Sequence, residues 1–165
     1  MRALRLCLST CCVAAALMQA ARADLTLSAY ADVYRPQYDA SYVATFEING
    51  QKYADVLFRS VNSYVRAECG SPNDYASVTW EIMVGYEEGN SGVALVRGTI
   101  IQFDGNGVWQ RTPDISGSCY VSLGDKHAVA SAEVFVPGTT NRAFDTDTNP
   151  FHVITQQQGG GGGGA

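Results

Sequence analysis

From residue 25 onward the chain alternates apolar and polar residues, and a period of two is the spacing of a strand with one buried face. Leu25, Leu27, Ala29, Ala31 and Val33 form one side of the first run, and Thr26, Ser28, Tyr30, Asp32 and Tyr34 form the other. Pro36, which has no N–H to give to a ladder, ends it. Tyr42, Ala44, Phe46 and Ile48 then alternate with Val43, Thr45, Glu47 and Asn49 as far as Asn49-Gly50. That dipeptide is the strongest short hairpin signal, because both central residues of a type I′ turn need positive φ. A return strand over residues 51–59 is expected to follow it.

Residues 53–69 carry two patterns. Tyr53, Val56, Leu57, Val61, Tyr64 and Val65 fit a helical stripe, with Gly70 and Pro72 as its stop. Three valines, the Asn62-Ser63 pair, and Phe58 on the wrong side of such a helix favour strand. From residue 77 the strand signal is cleaner, with Val78, Trp80, Ile82, Val84 and Tyr86 on one face and Thr79, Glu81 and Met83 on the other. Residues 87–92 read as a loop, 93–103 as a strand in which Gly98 marks a bulge, 104–107 as a turn and 108–112 as a strand. A loop over 113–118, a strand over 119–123 and a turn at Gly124 and Asp125 come next. The run 127–136 then lines up Ala128, Ala130, Ala132, Val134 and Val136.

After Pro137 the alternation fades into a polar stretch over 138–150, closed by Phe151, Val153 and Ile154. The expected fold is all-β, or β-rich with one short helix. Its expected form is a single antiparallel β-sandwich or small barrel of about eight or nine strands, occupying residues 24–155. The 17 aromatic residues, nine of them tyrosine, suit a pleated surface. The Gln/Gly-rich tail at 156–165 has nothing to bury and is expected to be disordered.

The first 23 residues read as an export signal. Arg2 and Arg5 head it, an apolar run over 6–18 is broken only by Ser9 and Thr10, and Ala21, Arg22 and Ala23 supply the small-x-small cleavage pattern. That run of 13 residues falls short of a bilayer crossing, which takes roughly 20. Cleavage before Asp24 would leave a secreted or periplasmic protein with no transmembrane segment. Its eight Lys and Arg against 16 Asp and Glu give a formal charge of −8. Nucleic acid is therefore disfavoured as a partner, since Arg59, Arg66, Arg97, Arg111 and Arg142 are scattered one at a time.

Cleavage also removes Cys7, Cys11 and Cys12, leaving Cys69 and Cys119 to face an oxidising compartment. A disulfide between them is expected; closing a loop of that length stabilises by roughly 4 kcal/mol in the chain-entropy account. The chemical motifs are weak. Asp145, Asp147 and Asn149 have the spacing that opens a calcium loop, but the sixth-position glycine is missing and Gln156 stands where the bidentate glutamate would be. There is no G-x-S-x-G, no H-E-x-x-H and no spaced Cys/His set, and His127 and His152 lack triad context. Glu81, Glu87, Glu88, Asp104 and Glu133 are carboxylates that a glycosidase could pair. No catalytic, cofactor or metal residue is assigned on this basis, and the small-hydrolase reading ranks last.

The expected role is contact without catalysis, with a protein or polysaccharide at the cell surface as partner. Tyr30, Tyr34, Tyr38, Tyr75 and Tyr120 fall off the core faces or beside loops and are candidate ligand contacts, in the manner of a carbohydrate-binding module. Leu25, Leu27, Ala29, Ala31 and Val33 are candidates for strand exchange, in which a terminal strand pairs with a neighbouring copy and gives a homo-oligomer.

Overall fold

An alternating strand can bury its apolar face only against a second layer, and the alternating runs of this chain find one. The computed structural model describes residues 25–34, 40–70, 77–89, 92–100 and 106–156. Among these it holds β1 (Thr26–Tyr30), β2 (Ala40–Ala44), β3 (Phe46–Ile48), β4 (Gln51–Ser60), β5 (Tyr64–Glu68), β6 (Val78–Tyr86), β7 (Ala94–Ile100), β8 (Val108–Arg111), β9 (Ile115–Ser122), β10 (Gly124–Phe135) and β11 (Arg142–Thr155). A single 3-10 turn, Glu87–Gly89, follows β6, and no α-helix occurs among the described residues. The expected export signal, Tyr38, Tyr75 and residues 157–165 of the tail lie outside the described residues.

Five strands form one sheet in the order β2-β11-β10-β6-β7, and two three-stranded sheets have the orders β1-β5-β8 and β3-β4-β9. All pairings are antiparallel except that of β11 with β2. The chain links the smaller sheets twice, through the bend at 61–63 between β4 and β5 and through 112–114 between β8 and β9. One face of the large sheet covers both: β1 and β5 lie against β10, while β4 and β9 lie against β6. Val56, Phe58, Val65, Ile82, Val84, Val121, Val134 and Phe151 fill the space between the layers.

The Asn49-Gly50 turn forms as expected, with φ of 51° and 79° and Ile48 paired to Gln51. Residues 53–69 are strand on both sides of a bend, not helix. Gly98 is no bulge, because the register from Val78↔Ile100 to Val84↔Ala94 is unbroken. It is small because the Trp80 indole lies over it; a Cβ there would meet Trp80 Nε1 at 2.8 Å.

The eleven strands exceed the eight or nine expected. Two of the extra elements arise where the chain changes sheets, at Thr45 and at 61–63. Residues 142–150, within the stretch read as polar, are moreover nine of the fourteen residues of the longest strand, β11. The expected disulfide is also corrected, since Cys69 and Cys119 are not bonded to each other. Cys69 follows β5 and gives its N–H to Gly107 O at 2.8 Å, whereas Cys119 sits opposite Val56 within β9. β5 and β9 are not ladder neighbours; Cys69 packs beside Gly107, whereas Cys119 lies near Asp55 and Tyr86.

Candidate functional site

Two surfaces stand out, and the first is a cleft that holds backbone. β1 pairs with β5 only as far as Tyr30↔Tyr64. Beyond it, residues 31–34 run between β11 and the bend after β4. Every N–H of this stretch is taken, on alternating sides. Ala31 donates to Asp145 Oδ2 at 2.9 Å and Val33 to Asp147 Oδ2 at 3.1 Å. In the opposite direction Asp32 donates to Ser63 Oγ at 2.8 Å and Tyr34 to Arg59 O at 2.8 Å.

Asn149 Nδ2 donates to Tyr34 O at 3.4 Å, Asn141 Nδ2 to Leu25 O at 3.0 Å and Asn62 Nδ2 to Asp32 Oδ2 at 3.0 Å. Ser60 and Ser63, both fully buried, hold the bend with hydroxyl oxygens 2.5 Å apart. The calcium-like spacing of Asp145, Asp147 and Asn149 is thus a strand spacing. Alternate side chains of β11 point to one side and act as a ladder for a passing backbone. Sequence reasoning missed this cleft because Asn141, Asp145, Asp147 and Asn149 lie 114 to 116 residues from the groups they hold.

The second surface is the outer face of the β3-β4-β9 sheet. Ala54, Val56 and Phe58 point into the core, so Tyr53, Asp55, Leu57 and Arg59 point outward, with Asp55↔Tyr120 and Leu57↔Ser118 in register. Phe46, opposite Tyr53, lies 4.5 Å edge-on from Tyr120 and nearly parallel to Tyr53, at 14° and 6.3 Å. Tyr120 is 58% exposed, Leu57 54% and Ile48 43%. Beside Phe46 opens a hollow lined by Ala44, Thr45, Glu47, Lys52, Thr155 and Gln156. By contrast, exposed Leu95 and Phe144 lie on β7 and β11, with two strands between them.

The tyrosine candidates therefore divide. Tyr120 belongs to this outer face, and Phe46 and Tyr53 join it without having been singled out from sequence. Tyr30 stacks on Tyr64, apart from that face, while Tyr34 lies under Arg59 at the end of β4. The strand-exchange residues Leu25, Ala31 and Val33 are buried in the chain's own core, with Leu27 and Ala29 packed against it.

Titratable groups gather elsewhere. Lys126, buried, pairs with Glu88. Burial pushes the nearby Tyr86 phenol up, and Cys119 adds to the shift. Burial also raises the Cys119 thiol, helped by Asp55, and the Tyr42 phenol, helped by Tyr34. Each group holds its proton more tightly folded than unfolded. Its contribution to stability is full below the unfolded value and is lost as pH rises through the folded one. The unfolding temperature should therefore fall on going from neutral to alkaline pH, and Cys119→Ala should flatten that fall; identical pH profiles would rule Cys119 out as a contributor.

His152 Nδ1 lies 2.5 Å from Asp125 Oδ1, and Ser41 is the register neighbour of His152 on β2. This Ser-His-Asp row is solvated, with the Asp125 side chain 87% and the His152 side chain 42% exposed. His127 likewise pairs with exposed Glu87 at 3.3 Å. No cluster of His, Cys, Asp and Glu that could hold a metal occurs among the described residues. No protein-family model matches the chain, and no curated protein matches it either.

Proposed function

We propose that the chain is an exported, non-catalytic contact module of sandwich form, secreted or periplasmic, which meets a protein or polysaccharide at the cell surface through the outer face of the β3-β4-β9 sheet. The observation that carries this reading is the contiguous exposure of Tyr120, Leu57 and Ile48 around Phe46 and Tyr53 on one face. Exposed apolar residues scattered singly need no explanation, but a joined aromatic and aliphatic patch on a soluble domain is a contact surface. The Cys119 thiol and Tyr86 phenol, both pushed up by burial, are poor nucleophiles at neutral pH, which supports a role without chemistry. A polysaccharide is the second reading, favoured by the near-parallel rings of Phe46 and Tyr53, which offer flat faces for sugar rings.

Sedimentation with insoluble polysaccharides, and binding to immobilised cell-envelope proteins, test both readings. Tyr120→Ala with Phe46→Ala should weaken the retained interaction about tenfold or more while leaving the circular dichroism unchanged. Binding that ignores these substitutions would remove the face from consideration.

A further inference from the structure

The cleft along β11 reads main chain, and seven of the eight hydrogen bonds it makes to residues 25–34 among the described residues end on backbone N–H or C=O groups. Only the bond from Asn62 to the Asp32 carboxylate reads a side chain. Below the backbone, the seat takes small apolar side chains, Ala31 at 2% and Val33 at 1% exposure. The cleft is therefore built for one kind of ligand: an extended strand with small residues at alternate inward positions and an aspartate between them. The chain itself carries that ligand in residues 25–34.

We propose that the cleft of one copy also seats residues 25–34 of a second copy, joining chains by strand exchange. Leu25, Leu27, Ala29, Ala31 and Val33 would then fill the partner's core. Asp145, Asp147, Asn149, Ser63 and Asn62 of each chain would hold the other's segment with the bonds that hold their own. This surface is distinct from the outer aromatic face, and either can fail without the other.

Because exchanged and unexchanged forms make the same bonds, concentration decides between them. A short tether holds a chain's own segment at an effective concentration on the order of millimolar. Exchange therefore belongs to chains that fold while crowded. Copies carrying a charge of −8 repel one another, so added salt favours it.

The test uses the full exported chain with Ser28→Cys and Arg66→Cys, two outward positions in direct register. Isotopically heavy and light copies are unfolded, mixed in equal amounts, refolded and oxidised, and the engineered cross-link is identified by mass spectrometry. Refolding near millimolar concentration, where seating within and between copies competes evenly, should make about a quarter of the links heavy–light, full exchange giving about half, and dilute refolding should give links within one copy only. Links confined to one copy at both concentrations would overturn the proposal. So would heavy–light links undiminished in a chain that also carries Asp145→Ala and Asp147→Ala, since exchange would then not run through the cleft. Sedimentation of the unsubstituted chain, refolded at both concentrations, is an independent measure: a dimer or longer assembly only from the concentrated sample supports exchange, and a monomer from both refutes it.

Discussion

Replacing Asp145 and Asp147 together by alanine is expected to lower the unfolding free energy by about 2–6 kcal/mol, close to the whole stability of a marginal domain. The reason is what the carboxylates leave behind. Ala31 and Val33 are buried, at 2% and 1% exposure, and their N–H groups have Asp145 and Asp147 as acceptors. A buried donor stripped of its acceptor costs about 1–3 kcal/mol. The two sites lie one strand repeat apart on the same element, so their costs couple instead of simply adding. Asp145→Asn with Asp147→Asn keeps an acceptor oxygen in each place and should cost much less, losing only the extra strength of a charged acceptor. Denaturant unfolding of the two double variants, with amide exchange followed at Ala31 and Val33, checks this. Equal destabilisation by alanine and asparagine would mean that charge, not hydrogen bonding, holds the segment.

That pair also explains where sequence reading stopped. Strands whose inward residues meet other side chains were legible, as in β6, where Val78, Trp80, Ile82 and Val84 are all buried. β11 was not, because its inward positions 145, 147 and 149 are Asp, Asp and Asn. Their partners are N–H and C=O groups, so polarity at an inward position signals a different neighbour and not a loop. The start of β9 was hidden by a related cause. Gly117 faces inward where Val93 O and Ala94 Cβ would lie 3.0 Å and 3.2 Å from a Cβ, so close approach replaced the apolar residue that alternation looks for. Counting two cysteines suggests a bridge but says nothing about where each one sits, and here Cys69 packs beside Gly107 while Cys119 is opposite Val56. Of the outer face, Tyr120 was readable as an aromatic off the core. Phe46 appeared inward by its alternation with Tyr42 and Ala44, and became outward only because the chain crosses from one sheet to another at Thr45.

Phe58→Ala is expected to cost about 3–5 kcal/mol, the range for removing a large aromatic ring from a close-packed core. Phe58 is 3% exposed and sits on β4, yet its ring contacts lie on the opposite layer. It stacks on Tyr86 of β6 at 5.6 Å and 13°, and meets Phe151 of β11 edge-on at 5.7 Å and 71°. Phe151 in turn meets Tyr42 of β2 edge-on at 5.7 Å. One ring therefore joins the β3-β4-β9 sheet to two strands of the large one, and through Phe151 to a third, and its loss opens a cavity that stiff strands on both sides cannot close. Phe58→Leu keeps much of the volume and should cost less than half as much. A fall in chemical-denaturation midpoint with unchanged slope would show loss of packing alone. A cost below about 1 kcal/mol would mean that the layers are not packed through this ring.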